Sequence, residues 1–486
     1  MGVFTYTDLI EVDLGKLSTA IADWKTVVDE LAKLKNDVRD GLVKKSDGAR
    51  WRGVNAAVTK NFVHSAAKEF GDLHKQALSI HNVLADAHGE LVQIQKRAKS
   101  LSDEARRGSP DRSPEADPSL LVSDAGDGTV RVMEAVCTPE GTSQRTKNMM
   151  QWYADTLTGL VAHAAEVDAA VSRALKKSHG GDPYNAGHAS YTSLDEDQLP
   201  RAMKLASLGE DANGKQRAEI RRLWQSLSPE ARAQIWAQHK GDLLAAGLLA
   251  PRTKRVAADR GAGPYDIDSP GARDYWIQIQ ATGMSNAGDF IGNTDAAYHM
   301  DHYLRGLGTN LDLDVDRMLT DDAALRQAAE HAIADEQEKW RKQALDEFEK
   351  SGGKPVALPV ETSPQSYTHT DRNWYLAVGS GMTNTTGMVT VVPGDDGKPR
   401  VSLDYQVNVW DRYNWDPGKN TPIGPTEVTD ADMARLHTTG LAREFDMRGS
   451  GSVQHHDLST NGGMPGPVGP GRDGTRTDIG RNGDAR

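Results

Sequence analysis

The segment SDGARWRG, residues 46–53, separates two long patterns of apolar residues spaced three and four positions apart. A chain that reverses direction between antiparallel helices needs a residue without a Cβ clash at the turn, and Gly53 meets that need. Trp51 carries an aromatic side chain large enough to fold back over the end of such a hairpin. The segment therefore predicts a helical hairpin with the Trp51-x-Gly53 triplet at its turn.

Each flanking pattern repeats every seven residues, as the apolar seams of packed helices do. The first seam covers residues 14–31, and Asp13 is placed to cap its helix. The second covers residues 66–101, within a predicted helix over residues 54–103. A helix of that length needs a partner helix, because it is unstable alone in water. The residues that we single out as an interaction seam are Leu17, Ile21, Trp24, Phe70, Leu73, Ile80, Leu84 and Leu91.

Over roughly residues 1–105, this arrangement resembles the WXG-type family of helical-hairpin proteins exported by type VII secretion systems. The resemblance implies that the hairpin pairs with itself or with a sister protein into a four-helix bundle and contacts the secretion machinery. The alternative is a coiled-coil spacer with an accidental Trp-Arg-Gly triplet. The family's export signal, Tyr-x-x-x-Asp/Glu, is missing just after the second helix. Its one match, Tyr191 to Asp195, lies far downstream and has the weight of a chance match.

A polar linker rich in Pro and Ser, residues 104–118, follows the hairpin. A short β-hairpin is predicted over residues 120–132 around the Asp- and Gly-rich turn, residues 124–128. A third long helix with an apolar stripe is predicted over residues 143–177. We therefore expect residues 1–177 to form one long-helix domain that carries an inserted β-hairpin.

Residues 192–350 are predicted to be mostly helical, with a helix start at Ser228, followed by Pro and Glu. The segments 223–251, 296–304 and 311–318 resemble the actinobacterial tetratricopeptide-like repeat region family. That resemblance implies a helical scaffold and brings no activity with it. A regular 34-residue period, which tetratricopeptide repeats have, is not evident in the sequence.

The alternation of apolar residues changes to a period of two after residue 353. Strands are predicted over residues 374–378, 388–392 and 401–410, and a helix is predicted from Thr429. These elements define a β-containing domain, residues 354–446, followed by a Gly-rich tail, residues 447–486, that we expect to be disordered. The predicted fold class is therefore mainly α, with a helical hairpin at the N-terminus, a helical middle and a small C-terminal α+β domain.

An aromatic and polar segment follows the third strand, and its Asp411-x-Tyr413-Asn414 core resembles the Asp-x-Tyr-Asp element of colicin-M-type toxins. Those toxins carry a His-Arg pair several residues later, which this chain lacks. The alternative function is therefore an exported antibacterial effector with a C-terminal toxin domain, in which Asp411 and Tyr413 would be catalytic. We favour a structural interpretation, in which the aromatic residues anchor a turn.

A second group of residues is a candidate metal site: His299-x-x-His302 with Asp295 and Asp301. Two His residues at i and i+3 can converge on a helix, but a zinc protease needs i and i+4 with a Glu between them. We therefore predict no metal site and no cofactor.

Composition excludes several function classes. The formal net charge is −12, which disfavours nucleic acid and polybasic membrane contacts as general partners. With Cys137 as the single cysteine, an intramolecular disulfide is impossible. The sequence shows no basic region of a signal peptide and no long apolar stretch. We expect a cytoplasmic protein, or one exported without a cleaved signal. The predicted function is a non-enzymatic interaction or scaffold protein, part of a homo- or hetero-oligomer associated with type VII secretion.

Overall fold

The computed structural model describes residues 3–50, 52–108, 118–135, 142–179, 190–250, 262–418 and 428–458. Trp51, with its predicted packing at the turn, lies outside the described residues, as does Cys137. The chain forms two compact units. The first unit comprises residues 1–105, 122–131 and 157–248, and the second comprises residues 106–121, 132–156 and 249–486. The predicted class, mainly α with a small sheet near the C-terminus, is confirmed.

The first unit begins with the predicted helical hairpin. The side chain of Thr5 caps the first helix in a reciprocal bond with Asp8, and Asp13 caps the second. Gly53 has φ +107°, a backbone conformation that favours glycine, so the turn prediction holds at this residue. The elements are α1 Tyr6–Glu11, α2 Leu14–Asp37, a π-helical stretch Val38–Val43, α3 Lys44–Gly48 and α4 Val54–Arg107.

The predicted β-hairpin and third long helix are confirmed, and both contribute residues to each of the two units. The helix start at Ser228 is also confirmed, because its side chain accepts a hydrogen bond from the backbone N–H of Ala231. The elements are β1 Leu120–Asp124, β2 Val130–Glu134, α5 Gln144–His179, α6 Asp195–Ala206, a 3-10 turn Gly209–Asp211, α7 Gly214–Ser226 and α8 Pro229–Ala245.

The second unit contains a sheet with helices packed against one face. Strand order is β3-β8-β7-β6-β4, with β5 pairing β6 and β9 pairing β7, and every pairing except β3 with β8 is antiparallel. The elements are α9 Ala272–Phe290, α10 Thr294–Leu304, β3 Leu311–Asp312, α11 Val315–Asp321, α12 Ala323–Lys350, β4 Val356–Glu361, β5 Gln365–Thr368, α13 Arg372–Ala377, β6 Ser380–Pro393, β7 Pro399–Tyr413, α14 Asp430–Thr438, β8 Phe445–Ser450 and β9 Gln454–Asp457.

The predicted alternation along β7 explains how this unit builds its core. Val401, Leu403, Tyr405, Val407 and Val409 all face the buried cluster, which also contains residues of α9, α11, α12 and α14. Alternate residues of a strand point to opposite faces of a sheet, so this run of aliphatic and aromatic residues supplies most of the inner face of the strand.

Three sequence predictions differ from the structure. Residues 374–378 were expected to form a strand but lie largely in α13, because Asp371 caps a helix there through the N–H of Trp374. The expected domain boundary near residue 350 does not separate helices from sheet, since α9 to α12 belong to the same unit as the strands. The disordered tail predicted from residue 447 is wrong for residues 447–458, where β8 and β9 pair with β7. Residues 459–486 lie outside the described part of the chain.

Among the described helices, none combines the length and the apolar character needed to cross a membrane.

Candidate functional site

The hairpin end, residues 34–62, exposes large apolar side chains on both sides of the turn. Leu34 and Leu42 are exposed before the turn. After it, Val54, Val58 and Phe62 are 81%, 62% and 72% exposed. These three residues are spaced four apart, so they lie along the same side of α4. Several exposed large apolar side chains at one end of a hairpin are typical of an interaction site.

Helix α4 is held by different partners along its length. The indole N–H of Trp24 donates to the carbonyl of Ala77 at 2.8 Å, which ties α4 to α2. The amide of Gln76 donates to the carbonyl of Ser178, and the hydroxyls of Ser79 and Ser178 lie 3.0 Å apart. These contacts fix the middle of α4 to α2 and to the end of α5.

The same pattern continues further along α4. A carboxylate oxygen of Glu90 lies 3.1 Å from Nε2 of His163 on α5. Before Gln76, two side chains of α4 contact another element within the described residues. Lys60 and His64 both hydrogen-bond to Asp47 at the end of α3. Among the described residues, the polar contacts of α4 from residue 76 onward therefore reach both α2 and α5, whereas those that join its first turns to another element reach α3, in the other arm of the hairpin.

The predicted interaction seam is largely half-buried in the described hairpin. Leu73 is exposed, whereas the other seven seam residues are half-buried. The most deeply buried positions of α4 include Ala77, Ala87, Ile94 and Ala98, which belong to the predicted apolar pattern over residues 66–101, and Val83, which does not.

The aromatic segment at the end of β7 places its predicted catalytic residues inside the fold. Tyr413 is buried and stacks on Phe445, with ring centroids 5.0 Å apart. Burial raises the pKa of Tyr413 well above its ordinary value. Asp411 lies on the same side of the strand and is also buried. Burial and, secondly, the Asp411 carboxylate raise the pKa of Tyr367 well above its usual range. This placement supports the structural interpretation of both residues.

Arg412, between those two residues, points to the opposite side and reaches a cleft of about 650 Å³ in the second unit. The cleft is built by five segments of the chain: the loop before α9, the loop after α10, the end of β7, the last turn of α14 and the approach to β8. Its lining residues are 263–265, 308, 310, 412, 437 and 443–446.

One wall of the cleft carries a buried charge cluster. Arg412 donates to a carboxylate oxygen of Asp446 at 2.7 Å, across the β7–β8 pair. It also lies 3.6 Å from a carboxylate oxygen of Glu444, whose side chain is almost fully buried. The Nε atom of Arg412 is buried without a hydrogen-bond partner in the described residues. Arg412 therefore pairs with both acids of this wall, and its own charge is fully offset by them.

His437 is held in its neutral form beside this cluster. Burial and, secondly, the positive charge of Arg412 lower its pKa to about 4, and Arg443 adds to the shift. Its Nδ1 accepts the backbone N–H of Glu444 at 3.1 Å, and the ring also bonds the backbone of Gly263. With both bonds made, the imidazole holds three segments of the wall together.

The second cation of the cleft is differently placed. The guanidinium carbon of Arg443 lies 4.6 Å from the centroid of the Tyr265 ring. Its side chain also crosses Gly308, which has φ +60° and where an added Cβ would clash with Arg443. Among the described residues, no carboxylate pairs with Arg443. An aromatic ring and a glycine therefore hold an arginine whose charge faces the cleft.

The residues considered for metal binding have other partners. His299 Nδ1 lies 2.8 Å from the carbonyl oxygen of Ala377, and His302 Nε2 lies 2.8 Å from that of Thr309. Asp295 accepts hydrogen bonds from Arg317 and from Asn373. Within the described part of the chain, no group of three or more potential ligands is placed to hold a metal ion.

None of the sequence predictions concerned the cleft. Tyr265, Gly308 and Arg443 are far apart in the chain, and no motif links them. The one local signal was the glycine pair Gly306 and Gly308, both with positive φ.

Comparison of the chain with protein-family models, with curated proteins and with solved structures gives no match.

Proposed function

We propose that this chain is a non-enzymatic protein-interaction protein whose hairpin end binds a second helical hairpin. The observation that carries the proposal is the exposure of Val54, Val58 and Phe62 along one side of α4. Burying an aliphatic or aromatic side chain contributes about 1.5–3 kcal/mol, so three such residues left in water are a large unused source of binding energy.

The chemistry of this surface favours a helical partner. Two antiparallel helices bury only the sides that face each other, and a second pair of helices covers the remaining apolar stripes in a four-helix bundle. The residues at i, i+4 and i+8 are the anchors that such a helix face uses. The helices of a second hairpin would carry apolar residues at the same spacing as those of α4.

The resemblance to WXG-type proteins adds a setting to this proposal, namely type VII secretion. Because the export signal is missing after α4, the bound partner would supply it. Secretion of the full chain is therefore expected to require both the secretion system and the sister protein. Immunoblots of culture supernatants from the native host and from strains lacking either component test this, with a cytosolic protein as lysis control. Equal amounts outside the mutant cells would contradict the secretion setting but not the interaction.

The interaction itself is tested with the full-length chain purified from its native host. The double variant Val58→Lys/Phe62→Lys is expected to lose the bound hairpin protein, because two charges in an apolar interface have no partners. The matched control is Tyr275→Lys/Ile279→Lys, which places two charges at the same spacing on an exposed apolar part of α9.

Light scattering and mass spectrometry give the mass and composition of each complex. A second copy of this chain, or a different helical-hairpin protein, supports the proposal if it is lost from the Val58/Phe62 variant and kept by the control. Unchanged mass and composition in the Val58/Phe62 variant would contradict the proposal, as would a bound partner without helical-hairpin sequence features.

A further inference from the structure

We propose that the cleft beside β8 in the second unit binds a small organic carboxylate, with Arg443 as the residue that pairs with its charge. This inference is independent of the hairpin end and concerns a different part of the chain. The volume of the cleft, about 650 Å³, falls in the usual range of small-molecule sites, roughly 300–1,000 Å³.

The contrast between the two arginines identifies which one is available. Arg412 is held by Asp446 and Glu444, so its charge is already balanced within the wall. Arg443 has no such carboxylate among the described residues and presents its guanidinium to the cleft. A planar guanidinium matches the two oxygens of a carboxylate in a bidentate arrangement, which adds geometric specificity.

Arg443 is also held in position before any ligand arrives. Its guanidinium stacks on Tyr265, and the absence of a side chain at Gly308 lets the arginine lie against the backbone. An arginine fixed in this way loses less side-chain entropy on binding than a free one does. The cation–π contact leaves the edge of the guanidinium, with its N–H donors, free for a ligand.

The charge of the cleft favours a carboxylate over a phosphate. With His437 neutral, the two arginines and two acids of the lining carry no net charge, so any charge that a ligand brings is left in surplus, and a monoanion leaves less of it than a phosphate does. A phosphate monoester carries about −1.5 to −2 at neutral pH and would place its surplus charge near Asp446. The amide of Asn310 and the hydroxyl of Tyr265 also line the cleft and suit a ligand with a polar body.

Calorimetry with the full chain tests the proposal. The probe is hippurate, which has one carboxylate and one amide, and its matched control is the neutral carboxamide of the same molecule. Hippurate is expected to bind, and the Arg443→Gln variant is expected to bind it about tenfold or more weakly, as for loss of a hydrogen bond to a charged group. The Arg400→Gln variant removes an exposed arginine from the start of β7 and is expected to leave the affinity unchanged.

The melting temperature of each variant establishes that it is folded before binding is measured. Absence of hippurate binding to the folded wild-type chain would overturn the proposal. So would equal binding of the carboxamide, or equal binding of hippurate by the Arg443→Gln variant. Inorganic phosphate is run in parallel, and Arg443-dependent binding of phosphate without binding of hippurate would refute the carboxylate assignment.

Discussion

Apolar side chains are usually buried and charged ones exposed, and the hairpin end and the cleft wall each break one half of this rule. At the hairpin end, apolar residues such as Val58 and Phe62 lie in water. At the cleft wall, the charged Glu444 is buried and Arg412 is largely so. The buried charges have partners in the described chain, whereas the exposed apolar residues have no comparable cover. The comparison supports a structural role for the charges of this wall and is consistent with the proposal that the hairpin end binds another protein.

The largest expected effect concerns the cleft wall. The Arg412→Met variant leaves the buried carboxylate of Glu444 without its cation. Breaking a buried ion pair by removing one partner typically costs about 3–5 kcal/mol, and we expect a loss of that size. Urea unfolding measures it, with Arg400→Gln as the exposed control, for which little change is expected. If Arg412→Met lowered the free energy of unfolding no more than the control does, the ion pairs of this wall would not stabilise the fold.

The second prediction uses pH on the same wall. The pKa of His437 is lowered to about 4 in the folded chain, against about 6.5 when unfolded. Between those values the unfolded chain binds more protons, so the free energy of unfolding falls as pH drops from about 7 to about 4. At 1.36 kcal/mol per pKa unit, the contribution of His437 is on the order of 3 kcal/mol.

Other carboxylates titrate in the same window, so the contribution of His437 is isolated with the His437→Gln variant. Its stability is expected to fall less steeply between about pH 7 and about pH 4.5 than that of the wild type. Urea midpoints at each pH provide the measurement. Parallel curves for the two proteins would mean that His437 is not held neutral by the fold.

The third prediction concerns the bond that joins the two arms of the hairpin. The Trp24→Phe variant loses the indole hydrogen bond to Ala77, which should cost about 1 kcal/mol. The exposed Trp276 on α9 gives the matched variant, Trp276→Phe, for which a change near zero is expected. Thermal unfolding compares the two substitutions, and equal shifts would remove Trp24 from the account of hairpin stability.

The smallest expected effect is at the hairpin end itself. The Phe62→Ala variant should change the stability of the dilute, unpartnered chain by about 0.5 kcal/mol or less, because the side chain is already in water. On the same helix, Ile94→Ala removes a buried side chain and should cost about 2–5 kcal/mol. A large loss for Phe62→Ala would mean that Phe62 packs within the chain, and the comparison with the cleft wall would fail.

The elements that local sequence determines were predictable. The spacing of apolar residues along α2, α4 and α5 predicts each helix, since heptad periodicity is a property of neighbouring residues. The capping residues Asp13 and Ser228 also act within a few residues of their own positions.

Elements fixed by distant partners were not predictable. The segment 372–377 has aromatic and aliphatic residues that suit a strand, but Asp371 starts a helix there. The N–H of Asp371 is held by Asp322, which lies about fifty residues earlier in the chain at the start of α12. Strand β8 is Gly- and Arg-containing and resembles a tail in composition, yet it pairs with β7 and β3. The cleft likewise joins five separate segments, and no local pattern marks it.

Site-specific photo-crosslinking in the native host tests the central claim most directly. A benzophenone amino acid replaces Phe62 in the full chain, and the same replacement at the exposed Tyr375 is the control. We expect one dominant adduct from position 62, formed with a second copy of this chain or with another helical-hairpin protein. The same adduct is not expected from position 375. No adduct at position 62, or the same adducts from both positions, would contradict the claim that the hairpin end is an interface.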